Sequence, residues 1–372
     1  MKFELVATCL FGLEHLLGEE IDRLGYERKS TIDGRVTFFG DCEAVAYANV
    51  FLRYAERVFI KLGEFNCETF DELFEGTKAL PWEAWIGKND AFPVKGHSIS
   101  STLHSIPDCQ KIIKRAVVAR LSDTYGVKWF EETGKKYQIE FFILKNTATL
   151  MIDTSGTPLH KRGYRTEANA APIRETLAAA IAATSRPRED VLLWDPMCGS
   201  GTIAIEAAMI MNNIAPGVRR SFAAEGFAQI EKSLWRNARE EALDNQSDTA
   251  FEAYASDIDG ECVKIAEANC RRAGVEKYVR CFRADARAMK PNGRRGTIVT
   301  NPPYGERLQT RDEAQALYRD MGKTFMAMAP WQAYVISSDP AFEKFYGKKA
   351  DKVRKLYNGM IPCYLYQYFK NK

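Results

Sequence analysis

Residues 301–304 read Asn-Pro-Pro-Tyr and follow the short apolar run 296–300. Proline lacks a backbone N–H group and has a nearly fixed φ, so two consecutive prolines keep the chain extended and outside a sheet ladder. The sequence therefore predicts a rigid turn that ends a strand and holds Asn301 and Tyr304 in place. The alternative is a rigid surface turn without a chemical role.

A second turn, at 195–202, combines an acidic residue with glycines. An aspartate ends the apolar run 190–195, and a helix is predicted from about Gly201. Glycines let the backbone approach a ligand closely outside the carboxyl ends of strands. The segment is not a phosphate loop, because no Gly-Lys-Ser/Thr follows, and it lacks the third glycine of the dinucleotide fingerprint. The predicted ligand-binding residues are Asp195, Pro196, Cys198, Gly199, Ser200, Gly201 and Thr202.

Two further aspartates end the next two predicted strands. Asp257, followed by Ile258, can accept hydrogen bonds from ribose hydroxyls, and Asp285 with the amide of Ala286 can read an adenine edge. Each aspartate alone could equally be a helix N-cap. Three acidic strand ends in order, followed by the Asn-Pro-Pro-Tyr turn, favour a nucleoside site.

The C-terminal half alternates short apolar strands with amphipathic helices, which is typical of a doubly wound, mostly parallel α/β sheet. The last two strand patterns flank Asn358-Gly359 and predict a hairpin with an antiparallel strand. Residues 212–250 are too long for a simple connection and predict a helical insertion. We expect one Rossmann-like domain over 156–372.

The N-terminal half mixes strand and helix patterns and predicts two α+β units, over 1–65 and 66–155. Its second unit and the following connector form the most basic part of the chain, which favours a polyphosphate partner. An ordinary solvated face is the alternative. The candidate nucleic-acid contacts are Lys95, His97, Lys111, Lys114, Arg115, Lys161, Arg162 and Arg165.

Composition excludes several classes of protein. With 46% hydrophobic and 27% charged residues, the chain is predicted to be globular, with no secretory signal and no membrane-spanning run. Nine cysteines without a Cys-x-x-Cys pair indicate reduced thiols and a cytoplasmic location. Four histidines without ligand spacing give no reason to expect a metal.

These motifs together carry a family resemblance. The segments NPPYGERL, DPMCGSGTIAIEAA, SGTPLHKRGYR and GHSISSTLHSIPDCQKIIKRA resemble the THUMP-domain class I S-adenosylmethionine-dependent RNA methyltransferases. The likeness is closest to bacterial enzymes that make N2-methylguanosine in large-subunit (23S) ribosomal RNA. It implies a ferredoxin-like unit, a THUMP unit and a methyltransferase domain with a seven-stranded Rossmann-like sheet. It also implies S-adenosylmethionine as cofactor, and Arg174, Glu175 and Thr176 along the cofactor pocket.

The resemblance further implies roles for the rigid turn. The Asn301 side-chain oxygen and the Pro302 carbonyl would hold the target amine, Pro303 would fix them, and Tyr304 would stack on the base. Asn301 also borders the cofactor, and no strong base or metal is required. Arg307 would contact a phosphate of the RNA or pair with a carboxylate.

Several alternatives stay open. The substrate RNA could be transfer RNA, and the same turn could hold adenine N6 in RNA or DNA. A non-catalytic RNA-binding protein is disfavoured by the intact motifs. Met197 and Cys198 are expected to pack rather than to act as a nucleophile, and His104 and His160 to be polar surface or RNA-contacting residues.

Overall fold

The computed structural model describes residues 2–165, 173–290, 293–303 and 310–369. In these residues the N-terminal half forms one seven-stranded sheet in the order β2-β3-β1-β4-β7-β6-β5. Neighbouring strands are antiparallel, except that β5 and β6 are parallel. The strands are β1 (Phe3–Cys9), β2 (Arg28–Ile32), β3 (Arg35–Gly40), β4 (Ala55–Asn66), β5 (Val94–Ile99), β6 (Ile139–Leu144) and β7 (Thr147–Asp153).

Helices cover one face of this sheet. They are α1 (Glu14–Arg23), α2 (Cys42–Phe51), α3 (Phe70–Lys78) and α4 (Ile106–Tyr125). Their apolar side chains share a core with strand residues such as Leu5 and Phe141. Because side chains alternate along a strand, Val6 and Phe142 point to the opposite face of the sheet, where they form a small separate cluster with Phe59 and Met151.

The two predicted N-terminal units share this sheet. Strand β4, which spans the expected boundary at 65/66, pairs with β1 on one side and β7 on the other. Hydrogen bonding is therefore continuous across that boundary. The unit boundaries themselves stay a prediction.

The C-terminal half forms a second sheet of seven described strands, in the order β10-β9-β8-β11-β12-β14-β13. All pairs are parallel except those that involve β14, which lies between β12 and the edge strand β13. The predicted α/β class, with an antiparallel C-terminal strand, is confirmed. The strands are β8 (Leu192–Asp195), β9 (Ala253–Asp257), β10 (Val279–Arg283), β11 (Gly296–Thr300), β12 (Gln332–Ser337), β13 (Lys352–Asn358) and β14 (Ile361–Tyr368).

The helices of this half are α5 (Glu175–Thr184), α6 (Thr202–Met211), α7 (Lys232–Asp244), α8 (Gly260–Ala273), α9 (Arg311–Ala327) and α10 (Phe342–Tyr346). Helix α6 is apolar nearly all round and deeply buried. Helix α9 begins at a capping box in which Thr310 and Glu313 satisfy each other's backbone N–H groups.

The expected insertion contains α7, which packs on α2 of the N-terminal half. The Tyr47 hydroxyl donates to the Glu241 carboxylate at 2.6 Å, and the rings of Tyr137 and Phe227 stack at 4.1 Å. A Cβ atom at Gly217 would lie 2.5 Å from the Asn49 carbonyl oxygen, so the two halves approach each other closely there. One hydrophobic core extends through both halves.

Across the described parts of the chain, no helix is long and apolar enough to cross a bilayer, and no cluster of three ligand-type side chains is placed to hold a metal. None of the nine cysteines is in a disulfide bond.

Candidate active site

Four strand ends meet at one edge of the C-terminal sheet. Strands β10, β9, β8 and β11 are parallel neighbours, so their carboxyl ends lie together. This arrangement brings Asp195, Asp257, Asp285 and Asn301 to the same edge. The order of the motifs along the sequence therefore corresponds to one site in space.

The glycine turn after β8 is held against β9 by hydrogen bonds from its backbone N–H groups. Gly199 and Gly201 have φ of 51° and 78°, which favours glycine over residues with a side chain. The Gly199 N–H donates to Asp257 Oδ2 at 3.0 Å, and the Cys198 N–H donates to the Ser256 carbonyl at 2.9 Å. Gly199 and Asp257, predicted from separate motifs, are thus in direct contact.

The turn is also fixed to α8 by a residue that we did not predict. The Asn269 side chain, which is fully buried, donates to the Ser200 carbonyl at 2.9 Å. A Cβ atom at Gly201 would lie 3.0 Å from the Cβ atom of Ala266. An asparagine on the buried face of a helix is a signal for such a contact, because a buried amide must find a partner.

Asp195 points into the protein. Its carboxylate is 1% exposed and accepts hydrogen bonds from the Thr300 hydroxyl at 2.8 Å and the Met197 N–H at 3.3 Å. Burial raises the pKa of Asp195 to about 7, against the opposing effect of the Thr300 hydrogen bond. The aspartate therefore ties the glycine turn to β11, directly before Asn301.

Asp257 is partly exposed beside an apolar surface. Its Oδ1 accepts from the Asp259 N–H at 3.0 Å, and the next side chain, Ile258, is 54% exposed. The N-cap of α8 is Asp259, whose carboxylate accepts from the Glu261 N–H, so Asp257 is not the cap. An open carboxylate next to an exposed aliphatic side chain fits a nucleoside, whose ribose presents hydroxyls and whose base presents an apolar face.

Asp285 is an N-cap, which is the alternative role that the sequence left open for it. It caps the short 3₁₀ turn Ala286–Ala288 by accepting from the Arg287 N–H at 2.9 Å. Its carboxylate also pairs with the Arg287 guanidinium at 2.6 Å, and these bonds lower the pKa of Asp285. Ala286 is buried. A contact of Asp285 or Ala286 with adenine stays a prediction.

The rigid turn follows β11 as predicted. Asn301 and Pro303 are half-buried and Pro302 is buried. The hydroxyl of Tyr318, which is fully buried on α9, donates to the Pro303 carbonyl at 3.0 Å. The remaining predicted residues of this motif, Tyr304 and Arg307, lie outside the described residues.

The predicted basic residues do not form one patch. Lys95 and His97 are exposed on one face of β5, whereas Lys111 and Arg115 are exposed on α4, which packs on the opposite face. Lys161 is exposed in the connector. RNA contacts by these five residues stay a prediction.

Two of the predicted RNA contacts are corrected by the structure. Arg162 is 5% exposed, its guanidinium donates to the carbonyls of Leu159 and Arg53, and it lies 3.5 Å from the carboxylate of Glu206. The Arg165 side chain is 11% exposed and pairs with Glu175 at 3.0 Å. Both guanidinium groups are paired with acceptors inside the protein, so neither forms part of an RNA-binding surface.

The ammonium group of Lys114 also has its partners within the protein. Its ammonium group pairs with Glu132 at 2.5 Å, donates to the Phe92 carbonyl and lies over the Phe92 ring. The partly exposed side chain therefore anchors the loop after α4.

The segment before α5 contacts the N-terminal half. Glu56 of β4 accepts hydrogen bonds from Arg174 at 2.8 Å and Thr176 at 2.5 Å, and it lies 2.7 Å from His160. These contacts place Arg174 and Thr176 at the junction of the halves. Arg165, which pairs with Glu175, reaches the Thr202 hydroxyl of the glycine turn at 3.4 Å. The pocket role of the three residues at 174–176 stays a prediction.

Family models match three consecutive parts of the chain. Residues 4–59 match an RlmL ferredoxin-like domain, 67–153 match a THUMP domain, and 162–367 match an RMKL-like methyltransferase domain. The last match covers more than half of the chain.

Known proteins match along almost the whole length. YpsC of Bacillus subtilis, whose name describes an RNA methyltransferase, is 44% identical over 99% of this chain and 96% of its own. The ribosomal RNA large subunit methyltransferase K/L of Psychromonas ingrahamii is 35% identical over 96% of this chain. This chain spans about half the length of the K/L relatives, at 49% and 52% of two of them.

Solved structures agree with the described fold. The structure of SMU.472, described as a methyltransferase complexed with SAH, has a TM-score of 0.93 at 41% identity and covers 100% of this chain and 99% of its own. A Listeria monocytogenes protein, described as a predicted N6-adenine-specific DNA methylase, has a TM-score of 0.93 at 45% identity. It covers 100% of this chain and 97% of its own.

Proposed function

Because this chain belongs to the THUMP-domain class I S-adenosylmethionine-dependent RNA methyltransferases, we propose that it methylates the exocyclic N2 of a guanine in large-subunit ribosomal RNA. The observation that carries the proposal is the turn Asn301-Pro302-Pro303, which ends β11 next to the glycine turn of β8. The K/L relatives, named as large-subunit ribosomal RNA methyltransferases, support the substrate.

The residues at the sheet edge fit the cofactor. S-adenosylmethionine supplies an electrophilic methyl group on a sulfonium sulfur. Asp257 would accept hydrogen bonds from the ribose hydroxyls, Ile258 would contact the adenine ring, and the backbone at Gly199 and Gly201 would lie against the methionine portion. Asp195 would act indirectly, by fixing the turn.

The rigid turn would prepare the amine for transfer. Guanine N2 is a poor nucleophile because its lone pair is delocalised into the ring. Two acceptors, the Asn301 oxygen and the Pro302 carbonyl, would hold the two N–H groups and favour a more pyramidal nitrogen whose lone pair points at the methyl group. As the new N–C bond forms, the bond between sulfur and the methyl group would break and leave S-adenosylhomocysteine. The methylated nitrogen would then be cationic and acidic and would release one proton to water, so no strong base is needed beforehand.

The target nucleotide must leave its stack to reach this turn. Extruding a base costs roughly a few kcal/mol, which stacking on an aromatic side chain partly offsets. Tyr304 is the predicted stacking residue. The N-terminal half would bind the surrounding RNA by shape and backbone, with Lys95 and His97 or Lys111 and Arg115 against phosphates.

A second candidate is methylation of adenine N6, because the same turn can hold either amine. The Listeria protein, described as a predicted N6-adenine-specific DNA methylase, supports this second candidate. The THUMP match favours structured RNA over DNA as the substrate of this chain. Transfer RNA remains a second candidate among RNAs.

The test is methylation of separated ribosomal and transfer RNA from a strain that lacks the gene. The protein is incubated with methyl-labelled S-adenosylmethionine, and the RNA is digested to nucleosides. We expect label in N2-methylguanosine from 23S RNA. Label in N6-methyladenosine would overturn the target base, and label only in transfer RNA would overturn the substrate.

The role of Asn301 has its own test. Asn301→Ala should lower kcat by about 1,000-fold, since the amine loses an oriented acceptor in the transition state. The Kd for S-adenosylhomocysteine, measured by calorimetry, should change less than about threefold, because the main cofactor contacts, from Asp257, Ile258 and the glycine turn, remain. Unchanged turnover in this variant would remove Asn301 from the mechanism.

A further inference from the structure

The rigid turn has an unusual need for outside support. Pro302 and Pro303 have no backbone N–H groups, so neither residue can be fixed by donating a backbone hydrogen bond. Their carbonyl oxygens are the remaining backbone groups that can bind the rest of the protein. Whatever holds these carbonyls therefore sets the orientation of the peptide planes that follow Asn301.

Tyr318 supplies such a contact from α9. Its hydroxyl donates to the Pro303 carbonyl at 3.0 Å, and the whole residue is inaccessible to solvent. The ring is fixed by an edge-to-face contact with Phe342, whose centroid lies 4.9 Å away. The packing of the ring therefore fixes the position of the hydroxyl at the turn.

The contact is the last of a directed chain of hydrogen bonds. The Tyr318 hydroxyl lies 3.3 Å from the Ser337 hydroxyl, at the end of β12, and the Asp339 N–H donates to Ser337 at 3.1 Å. A tyrosine hydroxyl has one proton, so if that proton goes to Pro303, Ser337 must donate to Tyr318. Each donor in the chain then polarises the next one toward the turn.

We infer that Tyr318, supported by Ser337, is a positioning residue for methyl transfer: it holds the peptide after Pro303 so that Asn301 and the Pro302 carbonyl keep the geometry that the amine requires. The inference rests on the proposed function, because it takes the turn to be the amine-binding element. Burial raises the pKa of Tyr318 to about 12, which keeps the hydroxyl protonated and able to donate at neutral pH.

The test removes one oxygen atom. Tyr318→Phe keeps the ring and its packing on Phe342, and we expect kcat to fall by about 10- to 100-fold, since small displacements of positioning groups have costs of this size. KM for RNA and the Kd for S-adenosylhomocysteine should stay within about twofold, because neither binding surface changes. Ser337→Ala should give a smaller loss, about two- to fivefold, because the bond to Pro303 remains.

Tyr368→Phe is the matched control. Tyr368 is buried in the same aromatic cluster, and its hydroxyl donates to the Lys348 carbonyl at 3.2 Å, away from the turn. This variant should keep wild-type kcat. The positioning role is overturned if Tyr318→Phe has wild-type kcat, or if both variants lose activity together with thermal stability.

Nucleoside analysis of the same reactions separates the two proposals. If the wild-type enzyme labels adenine N6, the proposed target base fails, and the ratio of kcat between wild type and Tyr318→Phe still decides the positioning role. If the label is in N2-methylguanosine and the ratio is one, the proposed function stands and Tyr318 is only a packing residue.

Discussion

Asp195 and Asp257 end two adjacent parallel strands, β8 and β9, yet their carboxylates lie in opposite environments. Asp195 is 1% exposed, and its acceptor bonds come from Thr300 and Met197 within the protein. Asp257 is partly exposed beside Ile258, and its two oxygens each accept one backbone N–H, from Gly199 and from Asp259. A carboxylate has about four acceptor positions, so Asp257 can still accept hydrogen bonds from a ligand. One aspartate shapes the sheet edge, whereas the other can meet a ligand there.

This difference separates two kinds of residue that look alike in a binding motif. A carboxylate that is satisfied inside the protein should affect stability and the shape of the turn when it is changed. A carboxylate that still faces the site should affect affinity first. Substitutions at or beside each of these two aspartates test this difference between stability and affinity.

Within this comparison of acidic strand ends, the largest expected effect is on cofactor affinity at Asp257. Asp257→Ala should raise the Kd for S-adenosylhomocysteine by about 30- to 100-fold, since charge-assisted hydrogen bonds contribute roughly 2–3 kcal/mol. Calorimetric titration measures the affinity. Asp259→Ala, at the exposed cap two residues later, is the control and should change the Kd less than about threefold. Equal affinity in wild type and Asp257→Ala would remove the assignment of Asp257.

The next effect is on stability, at the partner of Asp195. Thr300→Val removes the hydroxyl that donates to the buried carboxylate and should lower the free energy of unfolding by about 1–3 kcal/mol. Urea unfolding measures it. Thr297→Val on the same strand is the control, with a smaller expected loss. An unchanged stability in Thr300→Val would mean that Asp195 is not held by this hydroxyl.

The buried carboxylate of Asp195 should also make the free energy of unfolding depend on pH. The folded-state pKa of Asp195, about 7, lies above the ordinary value of 3.8, so the folded state binds the proton more tightly. The contribution of Asp195 to the free energy of unfolding should therefore fall as pH rises from about 4 to about 7, and stay constant above that. The measurement is the difference in unfolding free energy between wild type and Asp195→Asn at several pH values. A flat difference would mean an ordinary pKa.

Much of this site could be predicted from the sequence because strand ends are local features. The apolar runs before Asp195, Asp257 and Asn301 end where the structure ends β8, β9 and β11. The family resemblance implied a seven-stranded sheet, but the order of its strands comes from the structure, since periodicity alone does not give strand neighbours. The contacts Thr300–Asp195 and Tyr318–Pro303 join residues whose proximity depends on that order.

The wrong predictions concern cations whose burial depends on distant partners. Arg162 was predicted to bind RNA because it lies in a basic stretch, but Glu206 and the Arg53 carbonyl take up its guanidinium inside the protein. One signal was present: Glu206 lies in the apolar helix 202–211, and a buried carboxylate there requires a polar or cationic partner. The sequence does not tell which of many arginines supplies it.

The smallest expected effect is at Asp285, the third acidic strand end. Its carboxylate already accepts the Arg287 N–H and pairs with the Arg287 guanidinium, which lowers its pKa and keeps it ionised near neutral pH. The Arg287 guanidinium already pairs with both Asp285 oxygens, whereas Asp257 accepts neutral backbone N–H groups, so Asp285→Ala should raise the Kd for S-adenosylhomocysteine only about two- to fivefold. The same titration used for Asp257→Ala measures this change. A loss of affinity as large as that of Asp257→Ala would mean that Asp285 exchanges Arg287 for the cofactor when the cofactor binds. Asp195 would then be the one acidic strand end of the three that is paired only within the protein.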